Sequence, residues 1–220
     1  MKSGLSRELI AMRAAKELKD GDYVNLGIGL PTQVSSFIPE DVEVIFHSEN
    51  GILGFGRIAD ENERDPDLIN AGAQPITLKP GAAFFNSADA FAMIRGGYID
   101  VAVLGAFQVS EKGDLANWMI LEKKVGNIGG SMDLVVAVKE VIITMEHTTR
   151  KGAPRIVKEC TYPLTGRGVV NLIITNLAVI AVTPEGLLLK EVAPSVTPQE
   201  VQSVTEPKLR LAADLHEMEL

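Results

Sequence analysis

The sequence predicts one α/β domain: an open, mainly parallel sheet flanked by helices, with a small antiparallel addition late in the chain. Three observations predict it. Short apolar runs such as Val101-Ala102-Val103-Leu104 and Val141-Ile142-Ile143-Thr144-Met145 have the pattern of strands buried on both faces, as in parallel sheets covered by helices. These runs alternate with capped helical stretches. A chain of 220 residues that is 46% hydrophobic can bury such a core in one domain, spanning 1–220.

The elements follow in order. Ser6, with Glu8 and an apolar stripe at Ile10, Ala14 and Leu18, predicts a first helix that ends near Gly21. Tyr23-Val24-Asn25-Leu26 is a short strand running into Gly27-Ile28-Gly29-Leu30-Pro31, and Thr32 to Phe37 is a helix closed by Pro39. Val42 to Phe46 is the second strand. Arg57 to Asp67 is charged and predicts an exposed, mobile excursion. Ile76-Thr77-Leu78 is a strand, and Ser87 to Arg95 a helix stopped by Gly96-Gly97. Ser131 to Lys139 is a helix between the apolar strands at 101–104 and 141–145. Leu172-Ile173-Ile174 is a further strand. Ala178 to Val182 and Leu187-Leu188-Leu189, joined by Pro184-Glu185-Gly186, form a hairpin. Thr197-Pro198-Gln199-Glu200 opens the last helix, with Pro in its first turn.

Composition narrows the function. A net charge of −8 argues against nucleic acid, which requires a basic face, but leaves room for a small anionic ligand held by backbone N–H groups. A single cysteine, Cys160, excludes an intramolecular disulfide and a multi-cysteine metal site, and reads as a small buried hydrophobe. With three scattered histidines, His47, His147 and His216, no metal is expected. No signal-peptide pattern opens the sequence and no apolar window approaches the ~18 residues of a membrane span. The expected compartment is therefore the cytoplasm.

Glycines crowd three expected strand exits: Gly27 and Gly29; Gly51, Gly54 and Gly56; and Gly126, Gly129 and Gly130. In open α/β sheets ligands bind beyond the carboxyl ends of strands, so these exits suggest one crevice. Neither G-x-G-x-x-G nor a P-loop fits: Thr32 stands where the third glycine of the first cluster belongs, and the second cluster runs G-x-x-G-x-G. A serine-hydrolase elbow fails at Asp133, which follows Gly129-Gly130-Ser131-Met132 where a glycine belongs. His147 reads as structural. Glu49, at the end of a strand and the start of the second glycine cluster, is then the best-placed nucleophile. Ser48-Glu49-Asn50-Gly51 is equally a good turn sequence, so the residues alone leave both readings open.

Ser48-Glu49-Asn50-Gly51 resembles the active-site motif of the family I coenzyme A transferases, specifically the β subunit of 3-oxoacid CoA-transferases. Further runs carry the resemblance in order: Asn25-Leu26-Gly27-Ile28-Gly29-Leu30-Pro31, Ile69-Asn70-Ala71-Gly72, Pro80-Gly81-Ala82, Phe91-Ala92-Met93-Ile94-Arg95-Gly96-Gly97, Gly113-Asp114-Leu115-Ala116-Asn117-Trp118, Met145-Glu146-His147 and Pro163-Leu164-Thr165-Gly166. They span roughly residues 6 to 205. The resemblance implies that Glu49 attacks an acyl-CoA thioester and passes through an acyl-glutamyl anhydride to a glutamyl-CoA thioester. A second acid then runs the steps backward. Gly129, Gly130 and Ser131 match the backbone that opposes the developing oxyanion. Asn25, Gly27, Gly29, Asn50 and Gly51 match positions near CoA and substrate. Coenzyme A would be a substrate, and no permanently bound cofactor is implied. The implied partner is an α subunit of similar fold that completes the pocket, in an α2β2 assembly.

The chain departs from the family pattern near the expected crevice. Ala73 stands where Lys is frequent, Leu121-Glu122-Lys123 where Pro-Gly-Lys is usual, and Asn127-Ile128 where Gly-Met is usual. Ser131 replaces Ala and His47 a frequent Gln. These changes bear on which acids are exchanged more than on the class of reaction.

Overall fold

In the computed structural model, which describes residues 4–121 and 125–220, helix α1 (Arg7–Ala15) begins where the Ser6 hydroxyl accepts the Leu9 amide. Its buried face, Ile10, Ala11 and Ala14, packs beneath the sheet. β1 (Tyr23–Leu26) follows, then a 3-10 turn at Pro31–Ser36, and β2 (Ile45–Ser48). β3 (Ile52–Ile58) and β4 (Ile76–Phe84) form a long antiparallel arm. The Asn86-capped α2 (Ser87–Arg95) leads into β5 (Val101–Leu104). Short strands β6 (Gln108–Ser110), β7 (Leu115–Ala116), β8 (Met119–Ile120) and β9 (Val125–Gly126) precede α3 (Ser131–Ala137). The chain closes with β10 (Glu140–Met145), β11 (Ile156–Val157), β12 (Leu172–Thr175), β13 (Ala178–Thr183), β14 (Gly186–Val192), α4 (Pro198–Ser203) and β15 (Arg210–Glu217).

Ten strands form one sheet in the order β15-β14-β13-β12-β10-β5-β1-β2-β3-β4. The run from β12 through β10, β5 and β1 to β2 is parallel, as the apolar strands predict. The expected hairpin is present as β13 and β14. Antiparallel pairing is more extensive than expected, since it flanks the parallel centre on both sides, at β12/β13/β14 and at β2/β3/β4.

Several boundaries differ from the sequence expectation, each for a physical reason. The second strand starts at Ile45 and runs through Ser48 rather than spanning Val42 to Phe46. The glycine-rich run after Glu49 is a strand, not a loop. Gly54 sits at φ +81°, where the register with β4 shifts and the Ala82 backbone comes close, so glycine serves a bulge there. Thr32 to Phe37 is wound as a 3-10 turn, and α3 stops at Ala137 instead of Lys139. The Arg57 to Asp67 excursion is exposed as expected; Arg57 pairs with Asp60 and Glu63 across its 3-10 turn at Glu61–Glu63.

The chain order of the central strands matters most for function. From β1 the chain moves to β2 on one side and later returns to β5 on the other. The carboxyl ends of these three strands therefore border a topological switch point, where open α/β sheets bind ligands. Gly27 begins the exit from β1, its N–H donating 2.8 Å to the Val103 carbonyl of β5.

Candidate active site

Glu49 lies at the corner of the turn that joins β2 to β3. The Gly51 N–H donates to the Ser48 carbonyl at 2.9 Å, so Ser48-Glu49-Asn50-Gly51 is a closed four-residue turn with the carboxylate at its second position. Gly51 is obligatory there: its φ is +111°, and an added Cβ would lie 1.9 Å from the Phe85 carbonyl oxygen. The Phe85 N–H in turn donates to the Gly51 carbonyl at 3.0 Å, which ties the end of β4 to the turn.

Asn25, fully buried on β1, extends its carboxamide to the same place. Its Nδ2 donates toward Glu49 Oε2 at 3.4 Å, toward the His47 carbonyl at 3.3 Å, and meets His47 Nδ1 at 3.0 Å. The other carboxylate oxygen faces Gly130: a Cβ built on Gly130 would sit 3.9 Å from Glu49 Oε1, and at 2.9 Å from the Phe91 ring it would be closer than carbon atoms pack. Glycine at 130 thus keeps the backbone before α3 open to the carboxylate. Glu49 is half-buried, and none of the ion pairs among the described residues involves it. A carboxylate partly removed from water and met by one neutral amide is left free to act as a nucleophile.

A coenzyme A transferase family profile matches residues 7–203. The chain belongs to the coenzyme A transferase family. Among its relatives, the β subunit of the succinyl-CoA:3-ketoacid coenzyme A transferase of Helicobacter pylori (strain 26695) is 52% identical over 93% of this chain and 99% of its own length. The β subunit of the Acinetobacter baylyi 3-oxoadipate CoA-transferase is 48% identical, over 91% and 93%. The β subunit of the Escherichia coli K12 acetate CoA-transferase is 46% identical, over 96% of both chains. Among solved structures, an acyl-CoA transferase (YdiF) of E. coli O157:H7 superposes with a TM-score of 0.77 at 20% identity. It is matched over 98% of this chain but only 43% of its own, so the chain spans less than half of that polypeptide. A variant of the decarboxylase AibA/AibB shares the fold with a TM-score of 0.73 at 18% identity, over 97% of this chain and 89% of its own. The fold therefore carries more than one chemistry, and the site must decide between them.

Within this family member, the expected site residues fall into two groups. Asn25, Glu49 and Gly130 converge directly, as described above. Gly129, Ser131, Asn50, Gly27 and Gly29 stand around them. The Gly129 N–H donates to the Asn127 side chain at 3.1 Å and the Ser131 N–H to the Ile128 carbonyl at 3.2 Å, so of these three residues Gly130 is the one next to Glu49. The Asn50 side chain is exposed and donates 2.7 Å to the Ile69 carbonyl, while Ser48 Oγ accepts the Ala71 N–H at 3.0 Å. Together they fasten the Ile69 to Gln74 turn beside Glu49. Ala73, at φ +58° and exposed, carries no cation into this place. Gly29 has φ +99° and faces the Arg7 guanidinium; Gly27 packs on Leu104. Glu122 and Lys123 lie outside the described residues.

The competing nucleophiles are not equipped to act. The Ser131 hydroxyl has Asn117 as its partner, 3.5 Å away, with no histidine in contact. The Cys160 thiol is half-buried, near the Asp114 carbonyl, and burial pushes it up to about 11, away from thiolate. His147 is fully buried between the Thr175 and Thr205 hydroxyls, at 2.9 and 2.8 Å, and far from solvent. Among the described residues no three His, Cys, Asp or Glu side chains cluster to hold a metal, and no helix is long and apolar enough to cross a membrane.

Sequence reasoning missed two neighbours. His47 is 1% exposed and stacks on Phe85 with ring centroids 6.0 Å apart. Burial lowers its pKa to about 4, so it is neutral at physiological pH. Phe91 of α2 packs on Gly130. The signal for His47 lay in its spacing: two residues before Glu49, on an alternating strand, it shares the face on which Asn25 arrives.

Proposed function

We propose that this chain is the glutamate-bearing subunit of a cytoplasmic, heteromeric CoA-transferase that moves CoA from an acyl-CoA donor to a short carboxylic acid, with 3-oxoacids as the preferred class. The observation that carries this reading is Glu49 itself: a half-buried carboxylate at the switch point, with one oxygen toward the Asn25 amide and the other toward Gly130. The relatives suggest the substrate class, since their names share short acids and two of the three name a 3-ketoacid or 3-oxoadipate.

The reaction asks little of acid–base groups. Glu49 Oε1 adds to the thioester carbonyl, the C–S bond breaks, and CoA departs as thiolate, leaving an acyl-glutamyl anhydride. A thiol of pKa ~8.5 can leave without a general acid. The thiolate then attacks Cδ of Glu49, the C–O bond breaks, and the first acid leaves as carboxylate, giving glutamyl-CoA. The second carboxylate attacks that thioester and the sequence reverses. In the Cδ attack charge develops on Oε2, which the Asn25 N–H opposes; the Gly130 N–H is the candidate donor for the opposite oxygen. One such donor lowers a barrier by ~3 kcal/mol. Binding of the long CoA tail, remote from the reacting atoms, contributes to the rest of the rate.

The second half of the pocket belongs to an α subunit in this reading. Apolar side chains stand exposed on the elements that frame Glu49: Ile28 after β1, Phe84 at the end of β4, and Met132 and Val136 on α3. Their position beside a half-open carboxylate fits a subunit interface rather than a solvated rim. An α2β2 assembly follows from the same reading.

The test is kinetic. In the complex with the α subunit, Glu49→Gln is expected to lose at least about 10⁴-fold in transfer while folding normally, as when a covalent nucleophile is removed. Wild-type kinetics should be ping-pong, with acceptor acid obligatory. Rapid CoA release without an acceptor would instead assign hydrolysis, and a fully active Glu49→Gln would remove the mechanism.

A further inference from the structure

Behind Glu49, the Asn25 carboxamide is held by a residue the reaction above does not use. Asn25 and His47 are register partners on the parallel strands β1 and β2, so their side chains leave the sheet together. Both are buried, at 0% and 1% exposure. Three acceptors surround the Asn25 NH2 group: His47 Nδ1 at 3.0 Å, the His47 carbonyl at 3.3 Å and Glu49 Oε2 at 3.4 Å. Asn25 Oδ1 is buried with no hydrogen-bond partner among the described residues. The amide is therefore oriented by what its NH2 group meets, at the cost of leaving its oxygen unpaired.

We infer that His47 is a positioning residue: its Nδ1 lone pair accepts from Asn25 and keeps the NH2 group turned toward Glu49. The inference rests on the proposed CoA transfer through Glu49. For Nδ1 to accept, the ring proton must sit on Nε2, which lies beside the Ala90 backbone without reaching ordinary hydrogen-bond geometry. Stacking on Phe85, at an interplanar angle of 20°, fixes the plane of the ring. Without the lone pair the amide can turn over, which sets Oδ1 against the carboxylate it should be stabilising. The outcome would be a weaker donor to Oε2 in the attack on Cδ, with CoA binding untouched.

The experiment is a double-mutant cycle in the α/β complex, reading kcat and KM for acyl-CoA together with thermal stability. His47→Leu keeps an apolar group against Phe85 but offers no lone pair, and kcat is expected to fall on the order of tenfold with KM within about twofold. His47→Gln, whose side-chain oxygen can accept from Asn25, should recover most of that loss. In the Asn25→Ala background, His47→Leu should add nothing further. Equal losses in the Leu and Gln variants that track a lower melting temperature mean a merely structural histidine and overturn the inference. So do losses from His47→Leu and Asn25→Ala that multiply, or a His47→Leu enzyme with wild-type kcat. A wild-type complex that forms no glutamyl-CoA overturns the proposed function itself and the role of His47 with it.

Discussion

At the scale of single residues, the turn that carries Glu49 is built with little tolerance. Gly51 has a backbone conformation that L side chains avoid, and the Phe85 carbonyl occupies the space a Cβ would need. Gly51→Ala must therefore move the end of β4 or break the turn. The expected cost is about 2–4 kcal/mol in urea unfolding, from strain and steric displacement together. Activity should fall by more than stability at assay temperature, because the displaced atoms are those that aim Glu49. A variant with wild-type stability and rate would mean the turn can relax and that its geometry is not essential. Gly51 was legible from sequence as a turn glycine. Its close contact with Phe85 was not, because the two residues meet only when β3 and β4 pair.

At the scale of elements, buried neutral histidines join strands to their neighbours. His147 follows β10 and links it to Thr175 on β12 and to Thr205 after α4. Thr175 Oγ already accepts the Leu177 and Ala178 N–H groups, so it donates to His147 Nδ1, and His147 Nε2–H donates to Thr205, whose hydroxyl donates to the Val201 carbonyl. Each atom is satisfied only in the neutral form. Burial lowers both His147 and His47 to about 4. Because these folded values lie below the unfolded one, the unfolded chain binds more protons as pH falls, and stability is lost between about pH 6.5 and pH 4. Each histidine is expected to cost about 2 kcal/mol at pH 5 relative to pH 7. Urea midpoints measured across that range should fall with pH, and less steeply in His147→Gln; midpoints independent of pH would contradict the neutral assignment.

Elements also differed in how far their sequences betrayed them. The strands 101–104, 141–145 and 172–174 were legible because burial on both faces demands unbroken apolar runs. β15 was not, since Arg210, Asp214, His216 and Glu217 on an exposed edge strand give no apolar pattern. β3 was hidden for a different reason: its glycines serve bulges and close approaches inside a strand, whereas in the sequence they look like loop residues. Of the site, Glu49, Asn25 and Gly130 were legible through motif resemblance, while His47 needed the β1/β2 register to acquire a role.

At the scale of the whole molecule, the parallel centre places the ends of β1, β2 and β5 together and the antiparallel flanks extend the sheet on both sides. The crevice so formed is open on the side where Ile28, Phe84, Met132 and Val136 stand exposed, at 67%, 59%, 43% and 74%. In an α/β enzyme these side chains would be covered by the α subunit. Val136→Glu should therefore leave the isolated chain's melting temperature within about 2 °C, as expected of an exposed site, yet weaken co-purification with the α subunit and lower transfer in proportion. Undiminished association would move the interface to another face. Stability of the distal side rests on other contacts, chief among them the buried pairing of Arg13 on α1 with Glu191 on β14, whose Nε–Oε2 distance is 2.7 Å. Arg13→Ala strands a buried carboxylate and should cost about 3–5 kcal/mol, measurable by urea unfolding, without touching the chemistry of Glu49.

The proposed chemistry turns on whether Glu49 carries CoA. The most direct measurement incubates the α/β complex with acyl-CoA and no acceptor, reduces with borohydride, and maps the modified residue by peptide mass spectrometry. Reduction of the Glu49 side chain to its alcohol is expected in wild type, and none in Glu49→Gln. Turnover with an unmodified Glu49, or reduction at any other carboxylate, would contradict it.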